Sequence, residues 1–285
     1  MMRLIGFGTF LALVALLLHW RYVRATRVAR PWSFVIDGVL VVTWLLALIG
    51  IGSGEVFDPA WARVPAFLGL TWLAVVLYLV LGTLLVGIVT LGIRIVMAAR
   101  RRESAAVRLR VTRIGAAAVA VVSVVTVGYG IVEAANPRVT QTSIALDRLP
   151  AEFDGTRVAL ISDLHVGPAR GAGFVQQVVD DVNAQSPDLV ILDGDLIDGT
   201  VDLVGSDLAP LRQLSAPLGI FGVSGNHEFY AGDGGAWLDL WETLGVTVLR
   251  NQHDTVSRGG ATIDLAGIND ATAPEPYKPD LAAAL

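Results

Sequence analysis

The chain has no cysteine, only four histidines in 285 residues, and four long stretches almost free of charge. Without cysteine there are no disulfides and no thiolate metal sites, so any metal centre must use oxygen and imidazole donors; the redox compartment stays open. The histidines are His19, His165, His227 and His253. The low-charge stretches run over residues 4–20, 34–51, 66–93 and 114–132, and the only Asp, Glu, Lys, Arg or His residues in them are His19 and Asp37. At ~1.5 Å rise per residue each is close to or above the ~30 Å of a bilayer's hydrocarbon layer. Helices so nearly charge-free all round do not suit the core of a soluble protein. The first stretch is followed by Arg21, Arg24, Arg27 and Arg30 with no small-residue cleavage site, so it reads as a membrane span and not as a removable signal.

Charge divides the sequence in two. Residues 1–138 hold 14 arginines against 5 acidic residues, a net of +9, and residues 139–285 carry a net of −14. This asymmetry predicts a four-helix transmembrane anchor over 1–133, a short linker and first strand over 134–156, and a soluble domain over 157–285. Arginines crowd the first and third loops (Arg21 to Arg30, and Arg100 to Arg113), whereas the second has Glu55, Asp58 and only Arg63. Loops one and three are therefore expected in the cytoplasm, and loop two and the C-terminal domain outside it. Asp37 is expected to snorkel at a helix end. The acidic half repels phosphate backbones, so no specific nucleic-acid partner is expected.

In the acidic half, strands are expected at 140–146, 157–161, 188–192, 219–223, 246–249 and 262–266. Helices are expected around Phe174 to Val182, over 203–214, and around Trp237 to Leu244. This alternation predicts an α/β domain with a largely parallel sheet. Four polar segments follow the apolar runs: Ser162-Asp163-Leu164-His165, Asp193-Gly194-Asp195, Asp198, and Gly225-Asn226-His227-Glu228. Open α/β sheets place their sites beyond such strand ends. In extended chain, Asp163 and His165 would project to one face and bind one ion. Gly194 would let the backbone turn sharply and aim Asp195 into the same cleft. Asn226 offers a neutral oxygen and His227 a proton.

These segments resemble the calcineurin-like metallophosphoesterases, and the flanking residues resemble their bacterial membrane-associated branch. The family signature runs D-x-H, G-D-x-x-D, G-N-H-[D/E]; here it reads Asp163 to His165, Gly194 to Asp198 and Gly225 to Glu228. The resemblance implies all-α transmembrane helices followed by an α/β metallophosphoesterase domain with mixed sheets flanked by helices. It also implies two divalent metal ions (Mn, Fe, Zn or Mg). Asp163 and His165 would bind the first and Asp195 would bridge both. Asn226 would bind the second and touch the substrate phosphate. His227 would contact the substrate and protonate its leaving oxygen, and Asp198 would support the site without ligating. Such a centre lowers the pKa of bound water and stabilises phosphoryl-transfer charge.

The family pattern continues with a further histidine and a G-H-x-H segment, which this sequence does not contain; His253 reads as a surface residue in a turn. The expectation is a phosphoesterase domain cut short at its C-terminal part. The alternative is a degenerate, catalytically inactive membrane-bound sensor or interaction protein. The short linker after the fourth span points to a substrate at the bilayer, a phospholipid or another lipid-linked phosphate or pyrophosphate. A phosphorylated small molecule remains the other class.

Overall fold

The structure, a computed structural model, describes residues 2–285 and divides into two compact units. One comprises the chain up to Gly52 together with Ala62–Pro137; the other comprises Ser53–Trp61 together with Arg138–Leu285. The segment between the second and third apolar helices thus belongs to the unit that carries the polar motifs.

The first unit is helical. Its helices are α1 (Met2–His19), which continues as a turn of π-helix (Trp20–Arg24), α2 (Arg30–Gly52), α3 (Pro59–Ala99) and α4 (Ala105–Ala134). All four are long and apolar enough to cross a membrane. Their interior is thin, centred on Leu18, Leu40, Val75, Leu79 and Val127, and most other large apolar side chains point outward. Such outward apolar surface suits hydrocarbon as its solvent. A Cβ on Gly69 would stand 2.0 Å from the Leu46 carbonyl, so the backbones of α2 and α3 touch there as only glycine allows. Asp37 Oδ1 meets His19 Nδ1 at 2.6 Å, so it has a polar partner within the unit.

The second unit holds a four-stranded parallel sheet in sequential order, β1 (Val158–Ile161), β2 (Leu189–Asp193), β3 (Ile220–Val223) and β4 (Thr247–Val248). The crossovers are α5 (Ala172–Ala184), α6 (Val201–Val204) with a 3-10 stretch to Gln213, and α7 (His227–Tyr230) with α8 (Gly234–Thr243). β2 reads as an unbroken apolar run because both its faces are covered. Val190 and Leu192 join Val175, Val179, Leu208, Trp237 and Trp241 in the main core. Leu189 and Ile191 face the other way, toward Phe153, Phe221 and Leu249, with Val256 of the hairpin β5 (Gln252–Arg258) and β6 (Ala261–Gly267). A final short helix, α9, spans Leu281–Ala284.

Three expectations change. Residues 140–146 form no strand: β1 at the sheet edge pairs only with β2, and Ile144 and Leu146 stay exposed. The stretch expected as a helix over 203–214 is largely 3-10, with Pro210 within it removing an amide donor. His253 lies in strand β5 and not in a turn; it is exposed, and its Nδ1 meets the Ala284 carbonyl at 3.1 Å. Because Trp237 is wholly enclosed and its indole N–H donates to the Gly199 carbonyl at 3.1 Å, Trp237→Ala is expected to cost about 3–5 kcal/mol of domain stability. The check is chemical denaturation of the full chain in detergent.

Candidate metal centre

The three motif loops leave the C-terminal ends of β1, β2 and β3, which parallel pairing brings side by side. The pairing continues past the strands. Asp163 N donates to Gly194 O (3.2 Å), His165 N to Asp195 O (3.1 Å), Val166 N to Leu196 O (2.9 Å) and Asp198 N to Val166 O (2.8 Å). The backbone there is not extended. Asp163, His165 and Asp195 all have positive φ, at 56°, 47° and 52°. Left-handed conformations of this kind cost of order 1–3 kcal/mol each and cluster at functional sites. The expectation that Asp163 and His165 converge by strand alternation is therefore corrected: they converge because both are left-handed. Gly194 does make the sharp turn expected of it, with φ +72°, and a Cβ there would stand 2.2 Å from Gly225 N.

Two overlapping groups result. Donor atoms of Asp163, His165 and Asp195 lie within 4.8 Å of one another, and so do those of His165, Asp198 and His227. The hydrogen bonds distinguish their roles. One oxygen of Asp198, Oδ1, lies 3.1 Å from Nδ1 of His165 and 2.6 Å from Nδ1 of His227. An ionised carboxylate only accepts, so both histidines carry their proton on Nδ1. That leaves Nε2 of His165 with its lone pair, 3.7 Å from Asp163 Oδ1. Asp198 thus stands behind an imidazole that could hold a metal, an arrangement that fixes ring and tautomer. The two rings pack edge to face, with centroids 4.4 Å apart.

Charge follows the same geometry. The hydrogen bond to Asp198 raises the His165 pKa above the ordinary imidazole value; partial burial opposes this, and the charges of Asp198, Asp195 and Asp163 add to the rise. Burial alone would raise the Asp198 carboxyl, but its bonds to His165 and His227 overcome that and hold it below the usual range.

Asp195 accepts from the His227 backbone N–H at 2.8 Å. Asn226 stands between Asp195 and Tyr230. Its amide nitrogen meets the Tyr230 hydroxyl and its oxygen faces the Asp195 carboxylate; turned over, its NH2 would instead donate to both Asp195 oxygens, at 2.9 and 3.1 Å. An amide oxygen aimed at a carboxylate is placed to share a cation with it. Tyr230 has no assigned role in the sequence reading. Its signal was the four-residue spacing from Asn226, which puts both on one face of a helical turn.

Glu228 is the other residue whose role the sequence left unassigned. It is fully buried, and its carboxylate accepts backbone N–H groups from Gly225 (2.8 Å), Leu196 (3.0 Å) and Asp195 (3.1 Å). Burial raises its pKa, the three donors pull it back, and the nearby Asp195 charge adds to the rise. One side chain thereby ties the loop after β2 to the loop after β3.

The donors fit a divalent cation. Two carboxylates and an imidazole are hard to borderline ligands of the kind used by Mn, Fe and Zn. For a second ion the described residues offer Asp195 and the Asn226 oxygen that faces it.

An α/β domain with such donors on successive strand ends is of the metal-dependent hydrolase class. Residues 156–276 match the calcineurin-like phosphoesterase family, and this part of the chain is a calcineurin-like metallophosphoesterase domain. The chain is 38% identical, over 54% of its length and 36% of the relative's, to a "Transmembrane protein with metallophosphoesterase domain" of Danio rerio. A protein of the same name from Bos taurus is 36% identical over 55% of this chain and 37% of its own. An "Uncharacterized metallophosphoesterase" of Helicobacter pylori is 37% identical over 53% and 39%. The chain thus spans under two fifths of the length of these relatives. No solved structure matches it.

Metal binding requires a neutral His165, whose proton is held more tightly than that of an ordinary imidazole. Mn²⁺ affinity is therefore expected to fall with decreasing pH from an onset above the ordinary value of 6.5, and Asp198→Asn is expected to lower that onset. Mn²⁺ titration of the full chain across about pH 5.5 to 8.5 measures it.

Proposed function

We propose that this protein is a membrane-anchored phosphohydrolase that uses two divalent ions to cleave a phosphoester or pyrophosphate bond. The observation that carries the reading is the juxtaposition of a three-donor cluster, Asp163, His165 and Asp195, with His227, whose Nδ1 is fixed on Asp198. Bound divalent ions would lower the pKa of water and offset charge on the phosphoryl oxygens. Asp163 and the Nε2 of His165 hold one position, and Asp195 is shared with the second. Asp198 keeps both rings in the tautomer the chemistry requires. When its ring carries a proton on both nitrogens, His227 would pass the Nε2 proton to the departing oxygen and return to the Nδ1–H form held by Asp198. Asn226, with its amide nitrogen on Tyr230, would supply a neutral oxygen beside the phosphate.

His227→Asn is expected to lower kcat on a chromogenic phosphodiester by about 10²- to 10⁴-fold with Mn²⁺ binding retained. Asp195→Ala is expected to lose both binding and turnover. Metal binding without hydrolysis by the parent protein would favour a sensor or interaction role on the same scaffold.

The proposed location of the site is outside the cytoplasm. The arginine clusters of the first and third loops support this by the positive-inside rule. The second unit bears only on whether the second loop and the C-terminal domain share a side. It includes both Ser53–Trp61, which follows the second span, and the domain that follows the fourth. Two segments in one compact unit lie on one side of a bilayer, and an even number of crossings between them agrees. A reporter fused after Leu285 is expected to be active only outside the cytoplasm; cytoplasmic activity would sink the topology.

The substrate class is proposed as a lipid-linked phosphate or pyrophosphate, supported by four spans in one chain with the catalytic domain. The short-linker argument no longer contributes, because β1 begins only at Val158, well after α4 ends at Ala134.

A further inference from the structure

The turn between the second and third apolar helices reaches the backbone of the residue that orders the metal centre. Gly54 has φ +87° and closes the turn by donating its N–H to the Phe57 carbonyl at 2.9 Å. Its own carbonyl accepts from Thr200 N–H at 2.9 Å and lies 3.4 Å from the Thr200 hydroxyl. The approach is closer than any side chain permits. A Cβ on Gly54 would stand 2.6 Å from the Asp198 carbonyl oxygen, and a Cβ on Gly199 would stand 2.7 Å from Gly54 O. From the opposite side, a Cβ on Gly167 would stand 2.3 Å from the same Asp198 oxygen.

The Asp198 peptide is therefore pressed between two glycines, one from the metal-site loop and one from the inter-helix turn. The remaining restraints on this loop come from the domain itself: Asp198 N to Val166 O, Trp237 Nε1 to Gly199 O, and Val201 N to Asp233 Oδ2. Thr200 N–H, two residues from Asp198, is held by the turn.

We propose that the Ser53–Phe57 turn is a positioning element of the metal centre, with Gly54 fixing the backbone of Asp198 and, through that carboxylate, the rings of His165 and His227. The inference rests on the metal-dependent reading above and extends it to residues outside the phosphoesterase match, which begins at residue 156. It follows that a disturbance of the turn changes the metal centre without touching a ligand. Partners behind metal-binding histidines typically set affinity by 10- to 100-fold, and a displaced Asp198 stands in that relation to His165.

The test is Mn²⁺ affinity and amide hydrogen exchange of the full chain in lipid nanodiscs. Gly54→Ala is compared with Gly245→Ala, which has a similar φ of +93° but open space around it. Gly245→Ala therefore reproduces the backbone cost without the contact. A two-glycine insertion between Glu55 and Val56 frees the turn without adding atoms at the contact, and so serves if Gly54→Ala does not fold. Gly54→Ala and the insertion are expected to speed exchange over residues 198–204 and to weaken Mn²⁺ binding about 10-fold, with Gly245→Ala unchanged in both. Faster exchange with unaltered Mn²⁺ affinity overturns the proposal, and so does exchange that stays unaltered. Failure of the parent protein to hydrolyse any phosphate ester, with the affinity difference intact, would count against the hydrolase reading and leave the positioning role standing.

Discussion

One carboxylate oxygen, Asp198 Oδ1, is shared by the Nδ1 atoms of His165 and His227, and the rest of the site depends on where that oxygen is held. Because the carboxylate can only accept, it dictates the tautomer of both rings at once. One ring then presents a lone pair toward Asp163 and Asp195, and the other presents its far nitrogen to whatever lies above the strand ends. A shift of the Asp198 backbone would move both rings together. This explains why so many restraints converge on so short a loop: Gly167 and Gly54 on either side of its carbonyl, Val166 on its amide, and Trp237 behind Gly199.

The parallel sheet supplies the framework for that precision. Sequential β1, β2 and β3 bring three loops to one edge, and the ladder of backbone hydrogen bonds carries on into the loops. Left-handed φ at Asp163, His165 and Asp195 bends each loop back over the strand ends, at an energetic cost the surroundings must offset. Glu228 contributes to that offset. Its carboxylate satisfies three backbone N–H groups that the bends leave unpaired inside the protein, where an orphaned donor would cost about 1–3 kcal/mol.

Much of this was legible in the sequence, and the boundary of what was legible has physical causes. The β2 and β3 strands and the helix carrying Val175, Val178 and Val179 announce themselves because burial selects apolar residues at fixed periods. The motif residues were legible as donors, and their convergence followed from strand-end placement. The local backbone was not: alternation suggested extended chain at Asp163 and His165, whereas hydrogen bonds to the neighbouring loop impose left-handed turns. Residues 140–146 alternate weakly, but strand formation needs an edge to pair with, and that information is not local. The same holds for Gly54, whose role comes from a contact 146 residues along the chain with Thr200.

Charge links the site to the chemistry proposed for it. Asp163, Asp195, Asp198 and the buried Glu228 crowd together, in a half of the chain whose net charge is −14. Such a surface repels phosphate by its side chains alone. On the proposed reading, attraction for a phosphoryl group must come from cations held by those carboxylates, since a bound divalent ion inverts the local electrostatics. The acidic composition that argued against nucleic acid and the acidic cluster that argues for metal are then one design. On that reading the carboxylates set the cation, and the cation sets the substrate's charged group.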